Sequence, residues 1–372
     1  MIFFRHGIIG IYDSISAAES MTPPGVALIA ARKMWPSTRG EDSVVAVLDT
    51  GIDYKHPDLA ANVIDGQSFI PGEPDYMDQN GHGTHVAGSI AANGYLLGVA
   101  PKAKLLAVKV LNKNGMGSIF SINQGLAWAR KWRGDNGEKV NVINMSLGAS
   151  VSNSDMHREI IACIAEGITV VCAAGNAGDG ETDTTEISYP AYYPETIAVG
   201  AVDLHTGIAN FSNSNKRIDI VAPGVDTYST FPGKRYVKLS GTSMAAPHIS
   251  GAVALICSRY KKRFGENSSP DMVKELLHYQ AVDLGEIEFD YLYGYGLFSF
   301  NIDGAKAIRL IIGQNRYLVN KGEAFIETAP FLMEGDAVAS IADICAILNT
   351  DNNMLPADGS KDNMEGQVEI WS

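Results

Sequence analysis

Gly241-Thr242-Ser243-Met244-Ala245-Ala246-Pro247-His248 decides how the rest of the chain is read. A Gly-Thr-Ser turn runs into small, helix-compatible residues, and an apolar face continues through Ala252, Val253, Leu255 and Ile256. Ser243 therefore falls at a predicted helix start, where unpaired backbone N–H groups and the positive end of the helix dipole favour negative charge. A serine attacking a carbonyl needs that kind of environment, because charge develops next to it. Serine and threonine at helix starts are most often caps, so this turn alone leaves both roles open.

Two upstream stretches decide between them. Val44 to Leu48 is an apolar run of buried-strand length ending on Asp49-Thr50-Gly51, which puts a carboxylate at the carboxyl edge of a predicted parallel strand. Asn80-Gly81-His82-Gly83-Thr84-His85 is a glycine-flanked turn leading into a small-residue helix, with His82 at its start. Asp, His and Ser thus stand in that order, each at the end of a regular element. These three blocks together resemble the subtilase family of serine proteases, and the resemblance covers residues 23–310. It implies an α/β fold, a three-layer α/β/α sandwich around a mainly parallel sheet, with Asp49, His82 and Ser243 as a catalytic triad.

The alternation of strands and helices along the chain agrees with that architecture. Thr169 to Cys172 is a predicted strand entering Ala173-Ala174-Gly175-Asn176. An asparagine there is a turn former by itself; the resemblance implies that Asn176 donates to the oxyanion, with Ala174 and Gly175 beside it in the substrate cleft. The strand Leu105–Leu111 is followed by Gly115-Met116-Gly117, and the strand Val140–Met145 by Ser146-Leu147-Gly148. By resemblance these are the two edges between which an extended peptide pairs as an added strand, a close approach that glycine permits. For Gly115 to Gly117 a simple turn is the competing reading.

The formal charge of −13 over 372 residues argues against nucleic acid as a partner, and no segment has the length and apolarity of a membrane span. The basic runs at 130–133 and 259–263 fall near predicted helix ends, where cations complement the dipole. Cys163, Cys172, Cys257 and Cys345 are widely spaced in apolar surroundings, which fits buried thiols in a reducing compartment. Residues 1–12 make a poor secretory core because Arg5, His6 and Gly10 interrupt it, so the expected location is cytoplasmic.

Within the family the chain is most similar to the intracellular subtilisins. In that group an amino-terminal extension lies across the active site and blocks it, which implies an inhibitory role for residues 1–22 and for Ile8-Ile9-Gly10-Ile11-Tyr12 in particular. The segment departs from the family pattern in having no proline ahead of the tyrosine; an apolar tail packed on the surface is the alternative. Relatives hold calcium with an aspartate at the position of Asp58 and a loop bulging from the helix after His82. Here the loop, Asn93 to Gly98, is several residues shorter, and six or more oxygens are hard to assemble without its carbonyls. A second cation position by resemblance uses Asp203 and backbone carbonyls around 191–196.

Gly178 to Glu186 is an acidic loop that either favours basic substrates at the cleft rim or is plain solvated surface. Ser269-Pro270-Asp271 carries a helix-start signal, and Asn301 to Ile308 reads as a last short helix. Residues 311–372 form an extension: a hairpin over 315–323, a turn over 329–336, a short helix over 340–348, and a polar, disordered end from 351. It faintly resembles the stalk modules of copper amine oxidases. It serves docking or homodimer formation, or is inert. Functionally, the expectation is a serine endopeptidase acting on protein or peptide substrates; the alternatives are a peptide ligase or macrocyclase using the same acyl-enzyme, and a non-catalytic peptide-binding module.

Overall fold

Long apolar runs without alternation form strands buried on both faces. In the computed structural model, residues 20–181, 184–286 and 289–301 are described in full, together with the backbone of the strands in 10–12 and 307–371. Val44 to Asp49, buried at every position, is an interior strand of the sheet. In chain order the main unit comprises β1 (Gly10–Tyr12), α1 (Pro24–Leu28), β2 (Val44–Asp49), β3 (Val63–Ser68), α2 (His82–Ala91), β4 (Lys104–Lys109), α3 (Ile119–Lys131) and β5 (Val142–Met145). It continues with α4 (Ser154–Ala165), β6 (Thr169–Ala173), β7 (Ile197–Val202), β8 (Ile220–Pro223), β9 (Thr227–Phe231), β10 (Arg235–Leu239), α5 (Thr242–Phe264), α6 (Pro270–Tyr279), β11 (Ala281–Val282) and β12 (Leu297–Phe298).

The nine-stranded sheet runs β11-β12-β8-β7-β6-β5-β2-β4-β3, parallel throughout except for the antiparallel β11–β12 pair. β4 and β5 flank β2 on opposite sides, so the strand order reverses at β2, and in such sheets the crevice beyond the carboxyl ends at the reversal is where ligands bind. Val44, Ala46, Leu48, Leu106 and Val108 pack on one face against Ile122, Leu126 and Ala129 of α3 and Met156, Ile160 and Cys163 of α4. α2 and the long, almost wholly buried α5 pack against each other and against strands of the sheet. This is the expected three-layer α/β architecture.

The helix starts follow from local chemistry. Ser118, Asn153 and Ser269 cap α3, α4 and α6 by accepting from backbone N–H groups, and Pro270 sits in the first turn of α6 as expected. A separate three-stranded sheet, β1-β10-β9, lies beside α2. Residues 302–372 form a second unit, whose described strands are β13 (Ala307–Ile311), β14 (Arg316–Val319), β15 (Gly322–Phe325), β16 (Phe331–Met333), β17 (Asp336–Val338) and β18 (Gln367–Trp371). β14 and β15 realise the expected hairpin; within the turn expected over 329–336, Phe331–Met333 are strand and pair with β17. Two expectations are corrected: Ala307 and Ile308 are strand rather than helix, and Gln367 to Trp371 pair with them as a ladder. The expected helix at 340–348, and Cys345, lie outside the described residues.

Candidate active site

Asp49 is the last residue of β2, and His82 the first of α2; the imidazole Nδ1 lies 2.7 Å from Asp49 Oδ1 with both side chains fully buried. Asp49 Oδ1 also accepts the Thr50 N–H at 2.7 Å, which fixes the carboxylate toward the ring. Close approach of α2 to the end of β2 depends on Gly83, where a Cβ would stand 2.1 Å from the Gly51 carbonyl oxygen.

Asp78, a residue the motif reading missed, ties the two elements together. Its Oδ1 accepts from Thr50 Oγ1 and the N–H groups of Asn80 and Gly81, and its Oδ2 from the N–H and Oγ1 of Thr84. A buried carboxylate is thus spent on the open N–H groups at the start of α2, where the dipole favours it. Thr50 Oγ1 in turn accepts the Gly83 N–H, so the loop bearing Asp49 and the helix bearing His82 move as one piece. The second histidine of the block, His85, is bound to the Thr227 carbonyl, and burial pushes its pKa down to about 3. It fastens α2 to β9 as a neutral ring.

Ser243 lies in the first turn of α5, 3 % exposed. Pro247, four residues on, has no N–H to give to the Ser243 carbonyl. Ser146 Oγ donates to that carbonyl instead at 2.8 Å, while Ser243 Oγ donates to the Ser146 carbonyl at 3.2 Å. Behind them Asn144 Nδ2 donates to Ser146 Oγ, and Ser250 Oγ donates to Asn144 Oδ1. An uncharged, fully buried chain of hydrogen bonds therefore sets the start of α5 against β5. Proline inside an otherwise helical run was the sequence signal that such a donor is needed.

Asn176, exposed in the turn after β6, has its Oδ1 occupied by the Thr242 N–H at 2.8 Å and Thr242 Oγ1 at 2.9 Å. With the oxygen spoken for, the Nδ2 donor is the end left to face solvent. Thr242 Oγ1 accepts the Gly175 N–H, and Asn213 bridges the turn from Ala174 O to Ala177 N. Gly175 has φ +111° and a Cβ there would meet Asn213 Nδ2 at 2.2 Å, so only glycine fits.

A cavity of about 310 Å³ opens beside Ser243. Leu147, Gly148 and Ala149 form one wall, Ala173, Gly175 and Asn176 the other, and Ser188 and Ile187 also line it. Its lining contains no charged side chain. Of the expected cleft residues, Leu147, Gly148 and Gly175 line this cavity, Ser146 and Ala174 anchor its walls from behind, and Gly115, Met116 and Gly117 lie outside the lining, in the turn before α3. In the acidic loop Glu186 is bound to the N–H and Oγ of Ser214, so it serves as a clasp within the protein. Cys163, Cys172 and Cys257 are buried free thiols, and burial pushes Cys163 up to about 12 and Cys257 up to about 11, out of nucleophilic range.

The calcium positions implied by resemblance do not fit the residues present. Asp58 Oδ1 accepts the Tyr95 N–H and its Oδ2 accepts the Leu96 N–H and the Tyr236 hydroxyl, at 2.8 to 3.0 Å. The carbonyls of the short turn are also taken, Tyr95 O by Met21 N and Leu96 O by Gly94 N. A metal needs acceptors, and this site presents donors. Asp203 belongs to a surface turn, accepting from the N–H groups of His205 and Gly207; the carboxylate beside the carbonyls of residues 194–196 is Asp219. Among the described residues no cluster of three or more His, Cys, Asp or Glu could hold a metal, and no helix is long and apolar enough to cross a membrane.

Residues 40–296 match the model of the subtilase family of peptidases. The chain is 46% identical over 272 residues to an intracellular serine protease of Paenibacillus polymyxa, covering 71% of this chain and 81% of that protein. It is 47% identical over 260 residues to the major intracellular serine protease of Bacillus subtilis, covering 68% and 80%. Against Subtilisin Savinase of Lederbergia lenta the identity is 46% over 261 residues, covering 69% and 89%.

Proposed function

Because the chain belongs to the subtilase family and is a serine protease, we propose that it is an endopeptidase in which Asp49, His82 and Ser243 act as a triad and Asn176 stabilises the oxyanion. The observation that carries this reading is the buried Asp49–His82 pair, 2.7 Å apart, whose histidine starts a helix packed against the one that carries Ser243 in its first turn. Asp49 holds the Nδ1–H of His82 and so makes Nε2 the basic nitrogen. The Ser243 hydroxyl leaves the Ser146 carbonyl, passes its proton to His82 and attacks the scissile carbonyl. His82 then returns the proton to the departing amine, and water repeats the cycle on the acyl-enzyme. The oxyanion is met by Asn176 Nδ2 and the Ser243 N–H, two donors that need no rearrangement as charge develops.

The uncharged cavity supports an uncharged P1 side chain, large and apolar. The Gly115–Gly117 turn and the Ser146–Gly148 segment are the proposed edges for the extended substrate. The amino-terminal extension is proposed to regulate access. β1 pairs antiparallel with β10, Gly10 opposite Lys238 and Tyr12 opposite Tyr236, so the chain direction of β1 points its amino end toward the end of β10 that leads to Ser243. Ile8 and Ile9 lie outside the described residues. A cytoplasmic location accords with the names of the two intracellular relatives.

The test is intact mass and peptidase activity of the wild type beside Ser243→Ala, with a fluorophosphonate probe. The triad reading expects labelling and hydrolysis in the wild type alone; hydrolysis by Ser243→Ala at the wild-type rate overturns it. Loss of amino-terminal residues with gain of activity, in the wild type only, is the result expected of a regulating extension, and full activity at full length removes that role. A peptide with a free amine added to the same assay separates transfer to water from ligation.

A further inference from the structure

α6 crosses the amino edge of the sheet, opposite the edge that carries Asp49 and Ser243, and it places Lys274 and His278 one turn apart beside Asp219. Lys274 Nζ lies 2.8 Å from the Thr196 carbonyl oxygen, 3.1 Å from that of Pro194 and 2.9 Å from Asp219 Oδ1. The same Asp219 oxygen meets His278 Nε2 at 3.1 Å, and Oδ2 accepts the Ala198 N–H at 2.8 Å. Two backbone carbonyls and a carboxylate converging on one point are the donor set of a hard cation. Here a compact ammenium-type charge on a flexible stem, the lysine head group, fills that point. The cradle borders a cavity of about 330 Å³, also lined by Tyr193, Lys216, Arg217, Phe289 and Tyr295, so a free ion has room to reach it when the ammonium is gone, past two cationic residues that weaken its binding.

We propose that Lys274 is a tethered cation: its ammonium occupies an oxygen cradle that binds a free metal ion once the lysine is shortened. Together with Asp58, whose carboxylate is saturated by the Tyr95 and Leu96 amides and the Tyr236 hydroxyl, this leaves the chain without an exchangeable structural calcium. At one position the ion is replaced by a side chain that brings its own charge. At the other a short turn gives its Tyr95 and Leu96 N–H groups to the Asp58 carboxylate. Neither argument depends on the proteolytic reading.

The experiment is thermal unfolding of the full chain carrying Ser243→Ala, which prevents self-digestion, with and without Lys274→Ala. Each is measured in chelator, in calcium chloride, in potassium chloride and in a large organic-cation chloride of equal ionic strength. The parent's Tm is expected to stay within about 1 °C across all four, because an ion that does not bind the native state adds no stability by mass action. Lys274→Ala is expected to lose roughly 5–10 °C, because buried Asp219 is left with His278 and the Ala198 N–H but no fixed cation, and to recover a substantial part of it in calcium or potassium but not in the organic salt. Calorimetric titration with calcium chloride should show binding to Lys274→Ala and none to the parent. A parent that melts lower in chelator and is restored by calcium overturns the proposal. So does a Lys274→Ala protein equally destabilised in every salt. If Lys274→Ala does not fold, Lys274→Gln, which keeps most of the stem, is put to the same salts, and its indifference to them counts against the cradle in the same way.

Discussion

Asp49 and Asp219 are both buried carboxylates on one sheet, and each is hydrogen-bonded to a histidine. They differ in what else surrounds them. Asp219 meets a lysine, a histidine and a backbone N–H, so its charge is answered several times over. Burial alone would push its carboxyl up, but the His278 hydrogen bond, the Lys274 ammonium and the Ala198 N–H outweigh that and hold it below the usual carboxylate range. Asp49 has His82 and the Thr50 N–H on Oδ1, and its buried Oδ2 has no hydrogen-bond partner among the described residues. The first carboxylate sits at the carboxyl edge of β2, where the strand order reverses, and the second just before β8, at the amino edge. In the proposed function the carboxyl edge puts its carboxylate to work on His82, while the amino edge uses its own to hold the fold.

Exchanging each aspartate for asparagine tests that division most directly and with the largest expected effect. Asp49→Asn should lower kcat about 10⁴-fold with little change in KM, because the amide favours the wrong tautomer of His82 and no longer supports the imidazolium; this magnitude comes from serine proteases in which that step has been removed. Asp219→Asn should leave kcat/KM within about 3-fold, as a distant site adds independently, while Tm falls by roughly 10 °C from a lysine left short of its partner. Steady-state kinetics and calorimetry on the same two proteins decide it. A large kcat loss in Asp219→Asn would break the comparison.

The amide of Asn176 follows the same logic on a smaller scale, one end saturated by Thr242 and the other left for the substrate. Asn176→Ala should cost about 10² to 10³ in kcat with KM nearly unchanged, a magnitude established on a protein of this family. Thr242→Val keeps the backbone donor and loses the hydroxyl, and should fall between Asn176→Ala and the wild type. An Asn176→Ala protein that loses affinity and keeps its kcat would place the residue in binding rather than in the oxyanion hole.

Which of these residues the sequence revealed follows from how far away their partners are. Asp49, His82, Ser243 and Asn176 were legible because each sits in a local turn whose glycines and small residues mark it. Asp78 and Asn144 act through partners on other elements, and nothing in their neighbours shows it: Asp78 reads as a loop acid, Asn144 as a polar break in a strand. Resemblance points to Asp203 for the second cation position, whereas it is the parallel register, Ile220 beside Val199, that brings Asp219 to the carbonyls. The shortness of the Asn93–Gly98 turn was visible, but that its N–H groups turn onto Asp58 was not. The helix expected to reach Ile308 gives way to strand at Ala307 and Ile308 for the same reason. Ala307 to Ile311 find their ladder in Gln367 to Trp371, some sixty positions on, and nonlocal pairing overrides local preference.

Acid should separate the histidines. Burial pushes His85 down to about 3 and His248, bound to the Met244 carbonyl, down to about 4. Both folded values lie below the unfolded one, so the unfolded chain binds the extra protons, and stability is lost as pH falls below about 6.5. Between pH 7.5 and 5 the two rings together should cost roughly 3–4 kcal/mol in urea unfolding of Ser243→Ala. His85→Gln should flatten that limb by about half, whatever it costs at neutral pH. An unfolding free energy independent of pH over this range would mean that neither ring is held neutral.

The smallest expected effect is the most discriminating for the comparison, because it puts the same substitution into both carboxylate–histidine pairs. His82→Gln removes the proposed acceptor of the Ser243 proton, so hydrolysis should fall to the level of Ser243→Ala. His278→Gln leaves Asp219 with Lys274 and the Ala198 N–H, and a glutamine amide can still donate to Oδ1. The loss should be about 1 kcal/mol, the net value of one hydrogen bond, or roughly 2–4 °C in Tm, with kcat and KM unmoved. His278 also stacks on Tyr295 with ring centroids 4.0 Å apart, so His278→Phe keeps the stacking and gives up the donor. If His278→Phe is the more stable of the two, the ring matters at Asp219 for its surface and Lys274 alone answers the charge. If His278→Gln is the more stable, the hydrogen bond is what Asp219 needs, and the amino-edge carboxylate relies on two side-chain donors where the carboxyl-edge one has His82 and a backbone N–H.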